Sequence, residues 1–444
     1  MPLSAMDVFL IFFLVLLFIL VLAYLQKLPL FVILILGGIV GGLLAGAGLD
    51  QTLQWEMAGM GSLFAAFAVA ILSGIVIVRL LADQGLLDVM VRGIHAHIKN
   101  PRASAGILSW ILAVPITCPV VTYAFLSPVL NNLEPEKIRT NAILYVAAAC
   151  GIVSYILIFP TPFTQPLASA FAPAADGEMF DLVTIPVALC LLCLVIVVSG
   201  RWFPAGIKNA RVAGTPATAP AQEQTIPLSL HLKAWAPFIA VIIAIPVALF
   251  VLDLSHSAIL QFIMLVGLLV ALLLAPHNVR MAGFSEGVKT AGMVIFDICA
   301  AGAIGTVMVK AGLAKSALLV LIPVVPDILI PFIIAAILAT AQGSRVVTAI
   351  VSAQVLGATA LIQEINPLPL ILMVAAGSCF FCHITDPFFH LVKKTTGDET
   401  RTVIRNYTIP LACIGIVLFL VALALVIWAF PYQENAAITL MGGA

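Results

Sequence analysis

The segment Ala103–Leu130, ASAGILSWILAVPITCPVVTYAFLSPVL, is apolar from end to end and has the wrong length for a membrane crossing. As one straight helix its 28 residues would run about 42 Å. The hydrocarbon layer it would have to cross is only about 30 Å thick. Pro115 and Pro119 interrupt it near the middle. There each proline removes a helix hydrogen bond and its ring collides with the preceding turn. Two arms of about 12 residues each rise only about 18 Å, to mid-membrane. The spacing therefore predicts a re-entrant hairpin rather than a crossing. Non-helical backbone at that depth is tolerated only where protein or a water-filled cavity satisfies its polar groups.

The rest of the chain sets the context. Of 444 residues, 63% are hydrophobic and 9% charged, and the mean hydropathy is +1.21. An ordinary soluble domain carries about 25% charged residues, so the fold class is an all-α polytopic membrane protein. A formal net charge of zero offers nothing for nucleic acid to bind. Most cysteines lie in apolar runs, where they act as small hydrophobes. The first apolar run, 8–23, lacks a basic flank and a small-residue cleavage site, so it reads as a retained helix.

Apolar spans fall near 7–25, 29–47, 61–82, 137–158 and 179–200, and again about 226 positions later near 233–251, 255–273, 287–308, 363–384 and 405–426. The spelling repeats as well. Val120-Val121-Thr122 and Val129-Leu130 are echoed by Val346-Val347-Thr348 and Val355-Leu356. Thr161-Pro162-Phe163 is echoed, one position out of register, by Asp386-Pro387-Phe388. The copy of the opening hairpin is 328–356, with Gln342-Gly343-Ser344-Arg345 at its tip. Five crossings per unit is an odd number, so the second unit must insert upside down. The expected organisation is a first inverted repeat over 1–200, a cytoplasmic linker over 201–232 and a second repeat over 233–444. Each repeat would have a re-entrant hairpin and a broken helix, with about ten transmembrane helices in all. Inverted repeats with broken helices mark secondary transporters.

Charge placement agrees with that topology. With both termini outside, the cytoplasmic loops hold Lys27, Arg79, Arg92, Lys99, Arg102, Lys137, Arg139, Arg201, Lys208, Arg211, Lys233, Lys393, Lys394, Arg401 and Arg405. The external loops hold Asp50, Glu56, Asp176, Glu178, Asp253 and Glu364. Cytoplasmic loops of membrane proteins carry the excess of Lys and Arg. Lys310 and Lys315 fall on the wrong side.

Ionisable groups inside a membrane are costly, at least about 2.5–3.5 kcal/mol each at the centre, and mark functional positions. Arg345 at the second hairpin tip suits bidentate binding of a carboxylate, or it is held structurally by Asp297 or Asp386. Asp386, in the break of the span that starts near Asn366, either carries a proton or helps coordinate a cation, or else caps the helix begun by Pro387. His383, three residues earlier, is a candidate proton relay. Asp297 is the only carboxylate deep in its span and reads equally as a proton site or a partner of Arg345. Around them, Gln342, Gly343, Ser344 and Thr348 surround the second tip. Thr117 and Thr122 flank the first tip, and Thr161, Thr164 and Gln165 sit in the first helix break. These suit hydrogen bonds to a polyol-like substrate.

The stretch Gly377–Lys394, GSCFFCHITDPFFHLVKK, also contains Cys379-x-x-Cys382-His383, the spacing of c-type haem attachment. It lies inside an apolar span, away from any maturation system, and a zinc shell would lack its fourth ligand. Haem, zinc and a membrane redox enzyme are therefore the weaker readings, and the motif reads as the polar break of a helix. No cofactor and no enzyme activity are expected.

At these residues the chain resembles the gluconate permease family, within the larger ion transporter superfamily. The matching residues are Ala341-Gln342-Gly343-Ser344, Gly377-Ser378 leading to Cys382, His383 and Asp386, and Leu81-Ala82-Asp83-Gln84-Gly85. The order of spans corresponds over essentially the whole chain. The resemblance implies proton-coupled uptake of a sugar acid or other hydroxycarboxylate across the inner membrane, with hairpin tips and helix breaks surrounding the substrate. This chain departs from the family in three places. It has no acidic residue in the first hairpin, its first break reads Pro160-Thr-Pro-Phe-Thr-Gln-Pro166, and Arg345 stands where the family has a small residue. The expected protein is thus a symporter of a small organic anion, coupled to protons, with sodium as the other candidate ion. Its partners would be that anion and the lipid bilayer, with a homodimer as the candidate assembly. The rival within the superfamily is a cation/proton antiporter.

Overall fold

The computed structural model describes residues 5–25, 28–131, 133, 137–171, 177–202, 227–254, 256–313, 316, 320, 325–357, 359, 365–380 and 385–429. Cys382, His383, Lys315, Asp176, Glu364 and most of the expected linker, 203–226, lie outside them.

Among the described residues the regular structure is entirely helical. The first half contains α1 (Ala5–Leu25), α2 (Leu30–Leu44), α3 (Leu49–Asp83), α4 (Leu86–Ile98), α5 (Pro101–Ala113), α6 (Pro119–Leu130), α7 (Lys137–Leu157), α8 (Thr164–Phe171) and α9 (Gly177–Trp202). The second contains α10 (Leu228–Pro246), α11 (His256–Leu274), α12 (His277–Lys310), α13 (Ile330–Gln342), α14 (Arg345–Gly357), α15 (Pro367–Ser378), α16 (Pro387–Thr396) and α17 (Thr400–Trp428). Shifting α3, α6 and α9 by 226 gives 275–309, 345–356 and 403–428, within three residues of α12, α14 and α17 at every boundary.

Local chemistry sets several of these ends. Asn100 before Pro101 caps α5, accepting from the amides of Arg102 and Ala103 at 3.0 and 3.3 Å. Asn366 before Pro367 does the same for α15, at 3.0 Å from the Leu368 amide. An Asx side chain satisfies an orphan amide, and proline at the first helical position has no amide to satisfy. Gly343 ends α13 with φ +68, a left-handed conformation in which side chains other than glycine are strained.

The scaffold is the crossing of α3 and α12. Helices of 35 and 34 residues are about 50 Å long, longer than the roughly 30 Å hydrocarbon layer. They meet where neither has a side chain, with Gly59 against the Gly302 carbonyl and Gly302 against that of Gly59. Further along, Gly287 meets Val76 and Gly283 meets Leu80. The numbers rise on one helix as they fall on the other, so α3 and α12 run antiparallel. Small residues let helix backbones approach closely where lipid offers no hydrophobic drive.

The opening segment is broken into α5 and α6 at 114–118. Gly106 of α5 packs on Val146 and Cys150 of α7, and Ser109 on Gly151, so α5 and α7 run in the same direction. A single crossing made of α5 and α6 would have left α7 antiparallel to α5. Instead α6 returns the chain to the side where α5 began. The second hairpin behaves alike: Phe332 of α13 lies by Gly377 of α15, and the Thr385 hydroxyl donates to the Thr340 carbonyl at 3.0 Å.

Two expectations are corrected. The third span begins at Leu49 rather than near 61, so Asp50 and Glu56 lie inside α3 instead of an external loop. Glu56 is only 3% exposed. The basic stretch after that span is also not a loop but the amphipathic helix α4, which buries Leu86, Leu87, Met90 and Val91.

Candidate functional site

The tip of the second hairpin is pressed onto the break between α15 and α16. At Gly343 any side chain would strike the backbone of Thr385 and Asp386. This contact brings Arg345, the first residue of α14, against Asp386, the cap of α16. The Arg345 Nη1–Asp386 Oδ2 distance is 3.3 Å, and the two side chains are 5% and 2% exposed. Asp386 Oδ1 accepts from the Phe388 amide at 2.8 Å. Tyr407 completes the cluster: its hydroxyl donates to Asp386 Oδ2 at 2.9 Å and accepts from Arg345 Nη2 at 3.4 Å.

The distances from Arg345 to Asp386 and to Tyr407 are long for charge-assisted bonds, which settle at about 2.7–2.9 Å. The pair is buried yet not tightly closed. Phe388, Phe389 and Tyr123 wall it on one side, with ring centroids 5.2 Å apart for Tyr123–Phe388 and 5.7 Å for Phe388–Tyr407. The buried Cys379 thiol lies against the guanidinium.

Of the two partners considered for Arg345, Asp386 is the one beside it. Asp297 sits elsewhere, at the start of α2, where it accepts from the Phe31 amide at 3.1 Å. An acidic group there answers an unpaired amide and the positive end of the helix dipole. Asp386 both caps α16 and pairs with Arg345, so the two roles considered for it coexist.

The hydroxyls serve the backbone first. Thr161 donates to the Tyr155 carbonyl at 2.8 Å and Thr164 to that of Ile158 at 3.1 Å. Each also accepts from the other's amide. They thus satisfy polar groups freed by the helix break. Thr122 and Thr348 bond the carbonyls four residues back, and Thr117, at φ +60, bonds that of Ile116. Ser344 accepts from the Val347 amide at 3.4 Å. The carboxamide oxygens of Gln342 and Gln165 are different: both are buried without a hydrogen-bond partner. A buried unsatisfied acceptor costs about 1–3 kcal/mol, so Gln342 at the second tip and Gln165 at the first break each hold an acceptor still open to a partner.

Tyr407 is the residue the sequence reading missed. It lies in a π-helical stretch, Ile404–Thr408, at the entry of α17. That extra residue per turn rotates it away from where a regular helix would point it.

An all-helical fold among the described residues, with half-length hairpin arms and a buried ion pair at a helix break, is that of a multi-pass membrane transporter. The family model for the GntP family permeases matches residues 6–428, and the chain belongs to that family. It is 26% identical over 396 residues to a high-affinity gluconate transporter of Escherichia coli, covering 82% of this chain and 86% of that protein. It is 25% identical over 407 residues to an uncharacterized permease of Haemophilus influenzae, covering 83% and 81%. Two solved transporters share the fold at 14% identity. These are MtrF of Neisseria gonorrhoeae (TM-score 0.60, 92% of this chain and 98% of that one) and YdaH of Alcanivorax borkumensis (TM-score 0.57, 86% and 90%).

Proposed function

We propose that this permease imports a small organic acid anion, of the sugar-acid or hydroxycarboxylate class, across the inner membrane by proton symport. The observation that carries the reading is the buried pair of Arg345 and Asp386 at the hairpin–break contact. A substrate carboxylate and the Asp386 carboxylate compete for one guanidinium. While Asp386 is ionised it occupies Arg345. When a proton neutralises Asp386, the guanidinium turns to the incoming anion, so anion and proton enter together. Gln342 and Gln165, with acceptor atoms unspent, suit hydroxyl groups on the substrate. The antiparallel course of α3 and α12, third helices of the two halves, supports two inverted repeats. Alternating access then follows from movement of the hairpin-bearing bundles against that scaffold. The relative named as a gluconate transporter supports the substrate class.

The test is thermal stabilisation of purified protein by a panel of small organic acids. A ligand that binds only the folded state adds about 2.7 kcal/mol at a hundredfold excess over its dissociation constant. A sugar acid or hydroxy acid should stabilise the wild type and leave Arg345→Ala unchanged. No shift with any acid, alongside a shift with sodium, would favour a cation antiporter instead.

A further inference from the structure

Glu56 is an ionisable group that the Arg345–Asp386 site does not use. It lies in α3, one turn before the Gly59–Gly302 contact, and is 3% exposed. Its Oε1 atom fills the space left by the missing side chain of Gly38, midway along α2. That atom has no hydrogen-bond partner. Because α3 and α12 are antiparallel with Gly59 on Gly302, Glu56 faces the next turn of α12, around Ile304 and Thr306. Ile304 also packs on Gly38. On the far side of this turn Gln354, from the second hairpin, donates to Thr306 Oγ1 at 3.3 Å, and its own carboxamide oxygen is buried and unpartnered.

Among the described residues Glu56 makes no ion pair. α2 carries no titratable residue. On α12 the flanking groups are Asp297, engaged with the Phe31 amide near the start of α2, and Lys310, six residues beyond Ile304 and exposed. On α3 the nearest is Asp50, bonded to Gln54 at 2.8 Å. On α14 the only charged residue is Arg345, more than two turns from Gln354 and held by Asp386. A carboxylate in such a place is sustained only by a cation or a proton. A bound metal ion would need room for several oxygen ligands, and here an oxygen already sits in a glycine notch. A proton needs no volume.

We propose that Glu56 is a second protonation site, separate from Arg345 and Asp386. It holds a proton while α2, α3 and α12 are packed and exchanges it when that contact opens. The second hairpin reaches the site through Gln354, so movement of the hairpin that carries Arg345 is felt at Glu56. This inference rests on the transport reading for its functional consequence, but the protonation itself can be tested without transport.

The first measurement is an infrared difference spectrum of full-length protein in lipid at neutral pH, wild type against Glu56→Gln, with Glu56→Asp as a control that keeps the acid. The wild type should show a protonated-carboxyl stretching band that Glu56→Gln lacks; an ionised-carboxylate band in its place overturns the proposal. The second measurement uses proteoliposomes with gluconate as probe. Glu56→Gln should retain gluconate exchange at zero gradient. With an inward pH gradient of one unit it should lose about tenfold in accumulation, the contribution of one proton at about 1.4 kcal/mol. Undiminished accumulation by Glu56→Gln overturns the coupling role. If the wild type moves no organic acid at all, the proposed function fails while the infrared result still decides whether Glu56 binds a proton.

Discussion

Replacing Asp386 by Asn separates the charge of this residue from its shape. The amide oxygen of Asn can still accept from the Phe388 amide, so the cap of α16, at 2.8 Å in the structure, survives. What is lost is the negative charge beside Arg345 and the ionised acceptor of the Tyr407 hydroxyl. Arg345 is then a buried cation, 5% exposed on its side chain, without its carboxylate. Breaking a buried pair by removing one partner costs about 3–5 kcal/mol, most of it the penalty of the stranded charge. Removing both charges is far milder, because apolar groups of similar size often replace a buried pair with little loss. The double variant Arg345→Met with Asp386→Asn should therefore lie within about 2 kcal/mol of wild type. Denaturant titration of the detergent-solubilised protein reads both. A double variant as unstable as the sum of the two single ones would refute the argument, since it would mean the two residues do not act as a pair.

Three further expectations follow from the same contacts. Gly343→Ala should lower the melting temperature and abolish anion stabilisation, because φ +68 strains the new residue and its Cβ strikes the Thr385 carbonyl. Gly59→Val should prevent the close approach of α3 and α12 at Gly302; a variant that expresses and melts like wild type would show the crossing is not needed. Tyr407→Phe removes one hydroxyl from the cluster. It should cost about 1 kcal/mol in stability while weakening anion binding more than tenfold if Tyr407 keeps Arg345 in place; equal affinity would contradict that positioning role.

The break in the first hairpin was legible because a proline pair and half-length apolar arms leave few alternatives, and the second was found as its copy at the same offset. Pro115 and Pro119 bracket the tip that the structure forms between α5 and α6. The offset of 226 read from spans and spellings matches the bounds of α3, α6 and α9 to those of α12, α14 and α17 within three residues. Arg345 and Asp386 could be singled out because charge is rare in apolar runs, but their pairing is a matter of two loops folding onto each other, with Gly343 as the contact. The roles of the threonines were harder to read, since a hydroxyl that satisfies a broken helix looks, in sequence, like one awaiting a ligand. Thr161 and Thr164 do the former. Glu56 was misread because a polar start, LDQTLQWE, resembles a loop. In the structure those residues extend α3 by a further twelve positions and pack Thr52 and Glu56 onto the Gly42 and Gly38 notches of α2. Tyr407 was invisible because a π-turn changes the helix register.

The most direct measurement is proton uptake on anion binding, followed with a pH-indicator dye in weakly buffered detergent solution at neutral pH. Competition between substrate and Asp386 for Arg345 predicts that the wild type takes up protons in step with the anion bound. Asp386→Asn should bind the anion without taking up a proton there, and Arg345→Met should bind none. Anion binding by wild type with no proton uptake, or unchanged binding by Arg345→Met, would contradict the account.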